Sequence, residues 1–230
     1  MSNQSITQNS TTFKHGPKPV IGLVGGIGAG KSTAAKCFAT RGGFVINADA
    51  LGHEALQQPD VIRHVVDLWG ETVRKPDGTL DRREIGRIVF GYPTERNKLE
   101  GVVFPYITAR CEEAVIQAMG KPDVKFVVVD AAVLFEAGWE RNIDRIVYVD
   151  APREIRLARL ATRSGWSNDD LTGREAAQLP AETKMARADE IIVNDAGTIE
   201  LQAQVDRLLK QWKLLDVEPQ PTPTGGAVVG

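Results

Sequence analysis

The chain has 230 residues, 42% of them hydrophobic and 25% charged, with a formal net charge of −2. That length can bury a sizeable core, and the charge balance excludes general nucleic-acid binding. No apolar run approaches the ~18 residues needed to cross a bilayer, so neither nucleic acid nor membrane is an expected partner.

Residues 1–18 are polar, contain no acidic residue and lack the apolar centre of a secretory signal, so a disordered extension is expected. The first apolar run, VIGLVG at 20–25, leads directly into Gly25-Gly26-Ile27-Gly28-Ala29-Gly30-Lys31-Ser32, which matches G-x-x-x-x-G-K-[ST]. Glycines there let successive backbone N–H groups point inward and form an anion cradle at a helix N-terminus. Lys31 can reach the β- and γ-phosphates, and the Ser32 hydroxyl can ligate Mg²⁺. Thr33 adds a hydroxyl and an N–H for the α-phosphate. A dinucleotide fingerprint fits in no register, because Lys31 or Thr33 falls where its third glycine belongs. The expected ligand is a nucleoside triphosphate.

A helix from Ser32 to Arg41 follows, stopped by Gly42-Gly43, and then a second strand, FVIN at 44–47. Asp49 stands just past its C-terminal end, where ligands of open parallel sheets bind. Its carboxylate reads either as the base that takes a proton from an attacking hydroxyl or as the N-cap of the next helix. Residues 51–124 are too long for one crossover helix and carry several amphipathic segments, among them PDVIRHVVDLWG, DRREIGRIVF and ITARCEEAVIQAMG. They are expected to form a helical, acceptor-binding insertion. The strand FVVVD at 126–130 ends in Asp130, a candidate Mg²⁺ ligand, and Glu136 lies nearby without an assigned role.

RIVYVD at 145–150 and EIIVN at 190–194 complete five strands. All five runs are nearly continuously apolar, as in a parallel sheet covered on both faces. Between the last two, residues 151–186 are strongly charged. Arg156, Arg159 and Arg163 fall within roughly 60° on one helix face. That face is either a solvated surface or the phosphate-facing side of a mobile lid. His53 and His64 lack neighbours at metal-ligand spacing, and the Pro- and Gly-rich residues 216–230 are expected to be a disordered tail. Cys37 and Cys111 read as reduced thiols in a reducing compartment.

With these residues in place, the chain resembles the dephospho-CoA kinase family from about Pro19 to Lys213. The resemblance rests on GLVGGIGAGKST, VINADALGHE, DGTLDRREIGRIVF, LEGVVFPYI, VVVDAAVLFEAG, RLATRSGWS and REAAQLPAETKMARADEIIVND in that order. It implies an α/β P-loop kinase core of five parallel strands (19–50, 125–150 and 187–213), a helical acceptor domain (51–124) and a lid (151–186). It also implies transfer of the ATP γ-phosphate to the 3′-hydroxyl of the dephospho-CoA ribose, in a cytoplasmic monomer or weak homo-oligomer using Mg²⁺. Carried over residue by residue, the resemblance implies that Gly28, Ala29, Gly30, Lys31, Ser32 and Thr33 bind the ATP phosphates, that Asp49 is the catalytic base, that Arg163 is a catalytic, phosphate-contacting lid arginine and that Asn194 lies at the nucleotide. The residue pattern itself adds Gly26 and Arg159 as nucleotide-binding, Lys31 as catalytic, and Ser32 and Asp130 as metal ligands. Arg174, Gln178 and Lys184 match further positions near the nucleotide. The chain departs from the family at Asn47 and Phe104, where Asp and His are usual, at Ala132, where Pro is common, and at Arg156, where Gln is frequent. Two rivals remain: a P-loop kinase of another small hydroxylic or nucleotide acceptor, and a nucleotide-dependent switch that transfers to nothing.

Overall fold

The computed structural model describes residues 14–215. Five strands form one sheet: β1 (Val20–Gly25), β2 (Gly43–Asn47), β3 (Phe126–Asp130), β4 (Arg145–Asp150) and β5 (Glu190–Val193). Their order is β2-β3-β1-β4-β5, and every neighbouring pair is parallel. Alternation along each strand divides the apolar runs between two cores. Val20 and Val24, Val127 and Val129, and Ile146 and Tyr148 face one; Ile21 and Leu23, Phe126 and Val128, and Val147 and Val149 face the other. Burial on both faces is why the runs of β1, β3 and β4 are continuous rather than alternating, whereas the edge strand β5 buries Ile192 and leaves Ile191 and Val193 exposed.

The second of these cores is closed by α1 (Lys31–Ala39), through Ala34, Ala35, Cys37 and Phe38, and by α9 (Thr198–Gln211), through Leu201, Val205, Leu208 and Leu209. Arg41, just past α1, grips Asp206 of α9 with two nitrogens, Nη2 lying 3.0 Å from Oδ2.

The first core is closed by the long crossover between β2 and β3. It contains α2 (Ala48–Ala55), α3 (Pro59–Trp69), α4 (Arg82–Val89) and α5 (Pro93–Met119), with Ala55, Val65, Ile85, Val103 and Ile107 facing inward. Helix α5 runs for 27 residues straight through Pro105. Proline has no N–H to give to Gly101 and normally ends a helix. Here Val103, Ile107 and Val115 are buried in one core on both sides of the proline, and tertiary packing outweighs the local cost so that the helix continues across it. Phe104, at a departure from the family pattern, is spent on that core: its ring lies 5.6 Å from that of Trp139, whose Nε1 donates to Thr108 Oγ1 at 2.9 Å.

The charged span between β4 and β5 folds as α6 (Arg153–Ser164), α7 (Asn168–Glu175) and α8 (Ala181–Arg187). Gly165, at φ 67°, ends α6, and Ser167 with Asp170 forms a capping box that starts α7. Of the stretches expected to be disordered, 1–13 and 216–230 lie outside the described residues. Lys14 and Lys18 are held against the body. The Lys14 amide donates to Asp144 Oδ1 at 3.0 Å, and Lys18 Nζ donates to Ala118 O at 3.0 Å. Among the described residues, no helix is long and apolar enough to cross a membrane.

Candidate active site

The C-terminal ends of β1, β2 and β3 open into one cleft of about 1140 Å³, more than a single drug-sized ligand requires. Its floor is the loop between β1 and α1. Gly28 and Gly30 take φ of 80° and 93°, which side chains other than glycine rarely adopt. A Cβ on Gly30 would also stand 2.1 Å from Asn194 Nδ2. Helix α1 begins without a side-chain cap and with no acidic residue in its first turn. Its first amides, Lys31 and Ser32, enter no hydrogen bond with a backbone carbonyl among the described residues. Unpaired N–H groups at the positive end of a helix dipole make an anion site.

Not every residue of the motif faces this site. Ala29 is buried, and its amide closes a turn onto Gly26 O at 3.0 Å. Its carbonyl accepts from Asn194 Nδ2 at 2.7 Å and from Arg159 Nη1 at 3.3 Å. Asn194 and Arg159 border the cleft, yet their polar atoms are occupied in bracing the cradle from below. Ser32 and Thr33 are exposed within it.

Asp130 ends β3 beside the cradle, only 3% exposed, with Lys31 Nζ 3.5 Å from its Oδ1. Burial pushes the Asp130 carboxyl above the usual carboxylate range, the Lys31 ammonium opposes this and the Asp49 charge adds to it. Its Oδ1 has no hydrogen-bond partner, a buried orphan that a cation would satisfy. Among the described residues no cluster of three His, Cys, Asp or Glu could hold a metal by itself. Ser32 and Asp130 therefore suit an ion whose remaining ligands are phosphate and water, as Mg²⁺ prefers.

In the β2–β3 ladder Asn47 pairs with Asp130, so Asp49, two residues on, stands beside the same strand end. Asp49 is not the cap of α2. Asn47 is, its Oδ1 accepting from the Ala50 amide at 2.9 Å. That removes the capping alternative for Asp49, whose carboxylate is exposed in the cleft.

Arg156, Arg159 and Arg163, the three arginines expected on one face of α6, diverge. Arg163 reaches the cleft and has no ion-pair partner among the described residues. Arg156 is largely buried. It pairs with Glu175 of α7 and donates to Ile27 O at 3.2 Å and Ala151 O at 3.1 Å, so it ties the lid to the cradle. Burial alone would raise the Glu175 carboxyl, but hydrogen bonds from Arg156 and Arg153 outweigh it and hold Glu175 below its ordinary value. Across the cleft stand Arg82, Arg83 and Phe90 from the β2–β3 insertion. The Phe90 ring lies so close to Gly173 of α7 that a Cβ there would sit 2.7 Å from it. His53 accepts from Arg82 Nη2 at 2.7 Å.

The sequence missed one cluster. Lys184 of α8 is 2% exposed, with Glu136 Oε1 2.8 Å, Ala132 O 2.7 Å and Gln178 Oε1 3.1 Å from its Nζ. Glu136 Oε1 also accepts from the Leu179 amide at 2.9 Å. Burial lowers the pKa of Lys184 and Glu136 restores part of it. The resemblance marks Gln178 and Lys184, and Glu136 stands out without a role, but their pairing is not legible, since Glu136 and Ala132 lie more than forty residues from the lid residues they bind.

A family model described as dephospho-CoA kinase matches residues 19–200. The chain is 38% identical over 198 residues to a dephospho-CoA kinase of Methylococcus capsulatus, covering 85% of this chain and 98% of that one. It is 42% identical over 193 residues to one of Symbiobacterium thermophilum, covering 81% and 78%. A crystal structure from Thermus thermophilus superposes with a TM-score of 0.72 at 32% identity, covering 84% and 97%. A dephospho-CoA kinase structure from Campylobacter jejuni, at 24% identity, shares the fold with a TM-score of 0.61, covering 85% and 97%.

Proposed function

Because the chain belongs to the dephospho-CoA kinase family, we propose that its cleft brings ATP and dephospho-CoA together with Asp49 at their meeting point. The chain is an ATP-dependent kinase that phosphorylates dephospho-CoA in coenzyme A biosynthesis. The observation that carries the residue assignment is the placement of an exposed Asp49 carboxylate beside Asp130 and the cradle lysine.

In this reading the amides of the loop and the Lys31 ammonium hold the triphosphate, and Arg163 adds charge from the lid side. The ribose 3′-hydroxyl of the acceptor lies in line with the γ-phosphorus. As its oxygen forms the new O–P bond, the β–γ bridge breaks, ADP leaves and Asp49 accepts the hydroxyl proton. Asp130 and Ser32 would hold Mg²⁺, which supplies neutralisation of phosphate charge. Arg159 and Asn194 keep the loop in shape while Arg156 and Phe90 hold the lid near it. The division into core (19–50, 125–150, 187–213), acceptor insertion (51–124) and lid (151–186) follows the same roles. A cytoplasmic monomer or weak homo-oligomer is the corresponding setting.

The direct test is incubation with Mg-ATP and dephospho-CoA, with coenzyme A detected by mass. Sugars and nucleosides as alternative acceptors give far less product on this reading. ATP hydrolysis without any acceptor product would instead mark a nucleotide switch.

A further inference from the structure

Lys184 has only donors to offer, three N–H groups on one nitrogen, and three oxygens surround it. The side-chain atom that Gln178 presents to it is therefore the carbonyl oxygen, whichever way an amide might otherwise be turned. Fixing that oxygen fixes the rest of the amide. Gln178 borders the cleft, and its NH₂ group has no partner among the described residues.

We propose that Gln178 is a substrate-binding donor for an oxygen of the acceptor, and that the buried Lys184–Glu136 pair is the positioning device that sets which end of the amide faces the cleft. The reading rests on the kinase assignment above and names a residue of the same site.

The pair is built for that task. Glu136 belongs to the segment after β3, whereas Gln178, Leu179 and Lys184 belong to the lid span, so its bonds cross from core to lid. The same Lys184 holds the carbonyl of Ala132, two residues beyond Asp130. Gln178 is thereby located relative to the strand end where transfer takes place. The acceptor, rather than ATP, is the partner because of the wall that faces this cluster. Arg96 and Glu100 of α5 line the same cleft, and the Glu136 charge reaches Glu100, whose carboxyl is raised chiefly by burial and further by Glu136, against Arg96. The cradle, whose Lys31 charge reaches Lys184, already offers the triphosphate its own unpaired amides and that lysine.

The parent chain is first assayed for coenzyme A formation, and a parent that makes none sinks the kinase reading and this inference with it. Steady-state constants are then measured for Gln178→Leu, Gln178→Glu, Lys184→Met and the Lys184→Met/Gln178→Leu pair. Losing one hydrogen bond to substrate predicts a rise in KM for dephospho-CoA of about tenfold in both Gln178 variants, with KM for ATP within about twofold of the parent. Gln178→Glu keeps an oxygen for Lys184 and so keeps the fold, while turning an acceptor atom into the cleft. Lys184→Met raises the same KM by freeing the amide. In the double variant the two effects do not multiply, because Lys184 acts on the acceptor only through Gln178. A parent-like KM for dephospho-CoA in the Gln178 variants, or a rise in KM for ATP instead, overturns the binding role. Multiplying effects overturn the positioning role. Should Lys184→Met fail to fold, the binding role is decided by Gln178→Glu and Gln178→Leu. The positioning role is then decided by Lys184→Arg, which keeps a donor and retains the parent KM for dephospho-CoA if that role is correct.

Discussion

Asn47 and Asp49, a carboxamide and a carboxylate separated only by Ala48, do different work. Asn47 satisfies the Ala50 amide, so Asn47→Ala should cost about 1 kcal/mol of stability while leaving kcat nearly unchanged. Thermal melts and coenzyme A formation check the two halves of that statement. Asp49→Asn leaves the cap in place. It should keep the melting temperature and ATP binding and lower kcat by about a hundredfold or more, the usual size of a general-base contribution. Turnover within a few-fold of the parent would remove Asp49 from the chemistry. Lys31→Ala should likewise lower transfer by about a hundredfold or more, since a fixed charge at the transferring group is lost. The cradle residues were legible from spacing alone, because the chemistry demands glycine, lysine and a hydroxyl at fixed steps. The division of labour between Asn47 and Asp49 was not. Both are good caps, and only the backbone dihedrals decide which one is outside the helix.

At the scale of elements, α6 distributes its arginines between two duties. Arg163→Ala should lower kcat more than it raises KM for the acceptor, whereas Arg156→Gln should spare kcat and reduce stability by about 1 kcal/mol, because Glu175 retains Arg153. Kinetics and melts on the two variants separate these outcomes, and the reverse order would put the other arginine on the phosphate. The clamp between Arg41 and Asp206 gives a pH dependence with a definite sign. The hydrogen bond from Arg41 holds the Asp206 carboxyl below its ordinary value, against a smaller cost of burial. Its stabilisation is complete above the unfolded carboxylate range and is lost as pH falls through the folded value. Asp206→Asn should therefore cost roughly 0.5–1 kcal/mol of stability at pH 7, given its partial exposure, seen as a lower melting temperature, and the gap to the parent should close below about pH 4. The helical character of the β2–β3 crossover was readable from its amphipathic segments. The continuity of α5 was not, since Pro105 is locally a stop signal and only the buried face on either side overrides it.

For the molecule as a whole, five apolar runs sufficed to anticipate a parallel sheet, but cover on both faces holds for β1, β3 and β4 and fails at the edge strand β5, where Ile192 is buried and Ile191 and Val193 are exposed. The Lys184–Glu136 cluster escaped notice because nothing local distinguishes a lysine that will be buried from one that will not. The strand order carries a further consequence. Strands β1 and β2 never touch; β3 lies between them and is hydrogen-bonded to both. On the ribosome, β1, α1 and β2 emerge first and must wait for the entire span from Ala48 to Lys125 before their shared neighbour exists. Until then the complete G-x-x-x-x-G-K-S sequence has no sheet to bend against and no Asp130 beside it. A fragment of residues 1–125 should fail to retain ATP in equilibrium dialysis although it contains every residue of the motif, while addition of the β3 segment within the full chain restores binding. The nucleotide site is thus an attribute of the finished chain, assembled late, and a nascent protein cannot sequester ATP before it is able to use it.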